Sequence, residues 1–242
     1  MRSKTTLLLS VFVLASFIMA FRNPNNFKAD NLNGAWQFRN NNEEHVVLFM
    51  DGYFTHSTYD KGGRRFIQTR GGTYSLNNNT LTVNYEFDTR DKEQVGQTIP
   101  YEVSLQGSQL LANINAKDEK WTRVDDGSSG LAGLWKITAR KQGTELQQIH
   151  QTGTRKTVKI LTSTRFQWAA IDPGTKSFMG TGGGTYTFKD GKYTENIEFF
   201  SRDSSRVGSS LTFDGKLENG DWHHSGMSSK GDPIYEVWSR KK

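Results

Sequence analysis

The chain has no cysteine in 242 residues. That absence excludes a disulfide scaffold, thiolate catalysis, zinc-finger chemistry and a lipidated N-terminal cysteine. It also lacks a concentrated positive charge. Lys and Arg total 31 against 25 Asp and Glu, so the net charge is +6, and no basic run is longer than Arg240-Lys241-Lys242. A surplus this diffuse makes no nucleic-acid footprint. No segment of ten or more residues carries a helical stripe, and no nucleophile elbow or Ser–His–Asp order stands out. With 34% hydrophobic and 23% charged residues, the composition is that of a globular protein.

The one long apolar run is at the N-terminus. Arg2 and Lys4 precede residues 5–20, TTLLLSVFVLASFIMA, which end on the small residue Ala20. This is the pattern of a secretory signal peptide cut after about Ala20. The alternative is an uncleaved anchor, although 16 residues fall short of the ~20 needed to span a bilayer. The expected product is a secreted or periplasmic protein with no membrane span after cleavage.

The remaining chain repeats itself. Residues 45–105 align without a gap on residues 157–217 at an offset of 112, with 19 identities in 61 positions. The matches include Phe54/Phe166, Phe66/Phe178, Thr69/Thr181, Glu86/Glu198 and Phe87/Phe199. Gly71-Gly72-Thr73-Tyr74 recurs whole as Gly183-Gly184-Thr185-Tyr186. Such self-similarity marks a duplication. Leu32-x-Gly34-x-Trp36 matches Leu131-x-Gly133-x-Trp135 at an offset of 99, and Trp121-Thr122-Arg123 matches Trp238-Ser239-Arg240 at 117. The second copy therefore has 112 − 99 = 13 extra residues after its first strand and 117 − 112 = 5 before its last. The expected organisation is a signal peptide (1–20), a spacer (21–30), a first repeat (31–124), a linker (125–130) and a second repeat (131–242).

Within each copy the hydrophobic period is two. In TLTVNYEF, Leu81, Val83, Tyr85 and Phe87 alternate with Thr82, Asn84 and Glu86, which places the first set on the inner face. Turn signals such as Asp51-Gly52, Asp190-Gly191 and Asn219-Gly220 punctuate the strands. The second copy reads as eight strands, near 135–139, 157–161, 165–170, 178–188, 192–200, 207–213, 215–224 and 234–239. The expected fold class is all-β, with two tandem antiparallel up-and-down barrels of about eight strands each. Closure into a barrel removes exposed strand edges.

A Gly-x-Trp opening the first strand, an eight-stranded meander and an Arg two residues past a Trp in the last strand resemble the lipocalin-like (calycin) family. The resemblance implies a Trp at the closed base of each barrel with a basic residue laid across it. By position these are Trp36 with Arg123, and Trp135 with Arg240.

Candidate chemistry is sparse. Asn84/Glu86/Arg90 and Asn196/Glu198/Arg202 recur in both copies. They form either a polar cluster in the lumen or, the preferred reading, ion pairs on an outer sheet face. Gly71-Gly72 and the glycines at 180 and 182–184 lead into strand rather than helix, so they mark a bend or bulge, not a phosphate loop. His223 and His224 are adjacent on a strand and point to opposite faces, so no metal site is expected. Trp168 and Trp222 in the second copy replace His56 and Leu110, which favours the second barrel as the one with an aromatic-lined pocket. The candidate ligand-binding residues are Trp168, Tyr186, Asn196, Glu198, Arg202, Trp222 and His223. No catalytic residue and no cofactor is expected. The leading expectation is an exported, non-enzymatic protein binding a small apolar or ring-shaped ligand. The alternative is an interaction module gripping a polysaccharide or protein through filled barrels, with a hydrolase or isomerase third.

Overall fold

The structure, a computed structural model, describes residues 28–114, 119–149, 153–228 and 230–240. The expected signal peptide lies outside the described residues. The first barrel comprises β1 (Gly34–Asn40), β2 (Glu43–Met50), β3 (Tyr53–Asp60), β4 (Arg65–Asn77), β5 (Thr80–Asp88), β6 (Thr98–Gln106), β7 (Gln109–Ala112) and β8 (Glu119–Asp125). Every neighbouring pair is antiparallel, and β8 returns to pair with β1. The second comprises β9 (Gly133–Gln142), β10 (Glu145–Gln148), β11 (Lys156–Leu161), β12 (Arg165–Asp172), β13 (Ser177–Lys189), β14 (Lys192–Phe200), β15 (Ser210–Glu218), β16 (Asp221–Met227) and β17 (Pro233–Arg240). It closes through β9–β17 into an eight-stranded ring, with β10 folded back on β9 alone.

Two details differ from the expected strand pattern. The insertion after the first strand of the second copy forms part of an extra hairpin, β9–β10. Residues 210–218 form one strand through Gly215, because the chain reverses later, at Asn219-Gly220 with φ of 53° and 87°.

The duplication holds residue for residue. Strands β3, β4, β5 and β6 begin and end 112 positions before β12, β13, β14 and β15. Even the left-handed turn residues repeat, Arg64 with Lys176 and Asn78 with Asp190.

Paired glycines place a bulge in each copy. The β4–β5 register slips between Gly71 and Gly72, and the β13–β14 register slips between Gly183 and Gly184. A Cβ on Gly71 or Gly183 would lie 2.6 Å from the carbonyl oxygen of Phe54 or Phe166. Only glycine lets the strands approach this closely. The partner strand carries the extra residue, Glu86 or Glu198, and this insertion reverses the facing of the side chains beyond it. The expected inner set is corrected accordingly: Leu81, Val83 and Tyr85 fill the first barrel, but Phe87 leaves it. In the second barrel Phe199 likewise turns out, and Phe200 turns in.

These outward phenylalanines meet other apolar side chains. A third apolar cluster lies between the barrels, joining Leu48, Tyr59 and Phe87 to Ile160, Ile171 and Phe199. The barrels are therefore packed together across the outer faces of β2, β3, β11 and β12. Ser57 donates to Gln167 Oε1 at 2.9 Å, and Gln167 Nε2 donates to Thr69 at 2.9 Å and to Thr181 at 3.0 Å. One glutamine thus bridges a duplicated pair of threonines at the centre of the contact.

Candidate functional site

Each barrel buries tryptophans in its core, Trp36 and Trp121 in the first and Trp135 and Trp222 in the second. Trp36 donates its indole N–H to the Leu32 carbonyl, and Trp135 donates to the Leu131 carbonyl, each at 2.8 Å. The Arg123 guanidinium lies 4.0 Å over Trp36, and it donates to the carbonyls of Asn33 at 2.8 Å and Asn31 at 2.5 Å. Arg240 stands farther off, 6.0 Å from Trp135, because its Nε is engaged by Asp51 of the first barrel at 3.2 Å.

The second barrel holds a cavity of about 230 Å³ that is partly open to solvent. Its walls are mainly apolar, with Trp168 and Phe200 in an edge contact at 5.5 Å, and Phe213 and Trp238 beyond them. Three charged side chains line it: Lys159, Glu195 and Glu236. Lys159 and Glu195 make an ion pair at 2.8 Å with both side chains almost fully buried. Tyr193 also donates to Glu195, at 2.9 Å. The Lys159 ammonium lies 5.1–5.4 Å from the rings of Trp238, Trp222 and Tyr193, distances at which each ring face attracts a cation. The ion pair is particular to this copy. The first barrel has Val47 and Val83 at the corresponding positions.

His224 faces the cavity, with Nδ1 3.5 Å from Glu236 Oε2. Burial holds the His224 pKa below the usual imidazole value against the pull of Glu236, and Lys159 adds to the lowering. Burial pushes Glu236 upward, but His224, Lys159 and the indole N–H of Trp238 (3.0 Å) outweigh it and hold the carboxyl below its ordinary range.

The structure distributes the candidate binding residues widely. Trp168 lines the cavity, and Trp222 is fully buried in the barrel core beneath Lys159. Tyr186 is in the core, its hydroxyl bonded to Ser129 at 2.8 Å and the Thr162 carbonyl at 2.5 Å. Asn196 and Arg202 are exposed on the outside. His223 also points outward, bonded to the Tyr235 hydroxyl at 2.9 Å, so the alternation of the strand brings His224 to the lumen instead. Glu198 is buried between the barrels, where it meets Arg165 at 2.5 Å, Lys61 at 2.7 Å and the Tyr59 hydroxyl at 2.8 Å. Its duplicate Glu86 meets Lys156 of the second barrel at 2.6 Å.

Sequence reasoning missed Lys159, Glu195 and Glu236. A signal was available for the first two: charged residues where the other copy has valine. Among the described residues, no group of three or more His, Asp or Glu side chains is placed to hold a metal ion.

The first barrel has a more polar hollow of about 480 Å³, lined by Phe38, Glu43, His45, Gln68 and Arg90 among others. Beneath it His45 stacks on Phe38 at 4.2 Å, and His56 packs edge-on against Trp121 at 5.4 Å. Burial lowers the pKa of both histidines, and the positive Arg70 lowers that of His56 further.

The two units are closed, eight-stranded antiparallel barrels. Residues 130–242, the second barrel, match the family model of a domain of unknown function, DUF4488. A crystal structure of an uncharacterized protein from Bacteroides eggerthii DSM 20697 is similar at 13% identity, over 45% of this chain and 98% of that one, with a TM-score of 0.31. No curated protein matches the chain. No helix among the described residues is long and apolar enough to cross a membrane.

Proposed function

We propose that this is an exported, non-enzymatic binding protein of the lipocalin-like kind, which takes a small ligand into the second barrel. The observation that carries the reading is the cavity itself: a recess partly open to solvent, with mainly apolar, aromatic walls and a few convergent polar groups. Its volume of about 230 Å³ lies below the ~300–1,000 Å³ usual for drug-sized ligands, so the ligand is small. The apolar run at residues 5–20 supports export, and mass spectrometry of the mature chain should then place its first residue near position 21.

Titrating intrinsic fluorescence with lipids, haem and small aromatic compounds tests the binding. At least one class should quench, and Trp168→Ala should reduce the quench. Silence from every class would remove the cavity reading and leave the surface-binding alternative.

A further inference from the structure

We propose that the ligand of the second barrel is a small organic cation, an amine carried on an apolar or aromatic body, with Glu236 as its counter-ion. This rests on the reading that the cavity is a binding site. Of the three charged side chains in the cavity, Lys159 and Glu195 neutralise each other at 2.8 Å, and the ammonium is further occupied by its ring of aromatic faces. Glu236 is left over. Its Oε2 accepts the Trp238 indole N–H at 3.0 Å, a neutral donor, and lies 3.5 Å from His224 Nδ1, and its side chain keeps about a quarter of its surface open (24%).

His224 does not supply the missing positive charge, because burial among Tyr193, Phe213 and Trp222 and the nearby Lys159 disfavour its protonated form. The cavity therefore carries one net negative charge behind aromatic walls. An uncompensated carboxylate in an apolar setting favours a cation and disfavours an anion. Trp168 and Phe200 line the cavity as apolar contacts for the organic body of such a ligand, and a cation near an indole face gains further. The first barrel has Val47, Val83 and Ala112 where the second has Lys159, Glu195 and His224, so the preference belongs to the second barrel alone.

Calorimetric titration of the whole mature chain at neutral pH with three probes that share a phenylethyl body and differ in charge tests this: 2-phenylethylamine, 2-phenylethanol and 3-phenylpropionate. The amine should bind at least about tenfold tighter than the alcohol, equivalent to about 1.4 kcal/mol, and the carboxylate weakest. Glu236→Gln should abolish the amine's advantage while leaving the alcohol's affinity in place. If that variant does not fold, the charge series on the unmodified chain decides alone. Equal binding of the three probes, or a preference for the carboxylate, would overturn the cation proposal while the cavity reading stands. Failure of all three, together with silence in the broader fluorescence screen, would overturn both.

Discussion

Phe66 of the first barrel stacks on Phe199 of the second at 6.2 Å, and the duplicates of these two residues do the same in reverse, Phe178 against Phe87 at 6.2 Å. The interplanar angles are 26° and 27°. Residue i meeting j while j meets i is the signature of a two-fold interface. Here it occurs within one chain, between copies related by duplication. Glu86 with Lys156 and Glu198 with Lys61 add a charge contact in each direction, each duplicated glutamate reaching a lysine of the other barrel, although the two lysines are not duplicates of one another.

Phe199→Ala should therefore destabilise the protein by about 3–5 kcal/mol, the range for deleting a buried aromatic side chain. Urea denaturation followed by far-ultraviolet circular dichroism checks it. A loss below about 1 kcal/mol would mean that the barrels do not depend on their contact.

Removing the Glu198 carboxylate should cost a similar amount. Glu198→Ala leaves Arg165 buried without its partner, and breaking such a pair costs about 3–5 kcal/mol. Glu86→Ala should cost less, because the Glu86–Lys156 pair is more accessible to water. The comparison is made by the same denaturation.

Stability should fall in two stages as the solution is acidified. His56, His45 and His224 all have folded pKa values below the ordinary imidazole value of 6.5. The unfolded chain therefore binds more protons, and stability complete above about pH 6.5 declines as pH falls through the histidine range. Arg70 and His45 face His56, while Lys159, Glu195 and Glu236 surround His224. Burial raises the pKa of Glu198, but Arg165, Lys61 and Tyr59 outweigh it. The stability Glu198 contributes is present above the ordinary carboxyl value of 4.5 and drains away as pH falls through its lower folded value. Thermal melts across about pH 3–8 should show both limbs, and Glu198→Gln should flatten the second.

Arg123→Ala should lower stability by about 1–3 kcal/mol, since it removes a cation from the Trp36 face and two bonds to carbonyl groups. Arg240→Ala should cost less than about 1 kcal/mol through its ring, given its 6.0 Å separation from Trp135. Melting temperatures of the two variants settle the order.

Gly71→Ala should cost at least about 1–3 kcal/mol, because the added methyl group meets the Phe54 carbonyl and the Phe87 ring. Gly107→Ala is the control, with no atom within 4 Å of the added carbon but a φ of +61°. It should show backbone strain alone.

The strands, their turns and the doubling were legible before any folding was considered, because period-two alternation, Asp-Gly and Asn-Gly turns and repeated spacing are local properties of a chain. Trp36, Trp135 and the bulge-forming glycines were legible for the same reason. Which face of each strand is buried, and against what, was settled only when the chain packed in three dimensions. Alternation divides side chains into two sets, yet a single extra residue at Glu86 or Glu198 exchanges the sets beyond it. Phe87 and Phe199 thus left the barrels for the seam between them, and Glu198, for which the sequence favoured ion pairs on an outer face over the lumen, makes its pairs in that seam. The same parity set His224 inside and His223 outside. Lys159 and Glu195, 36 residues apart, became one ion pair only when the ring closed around them.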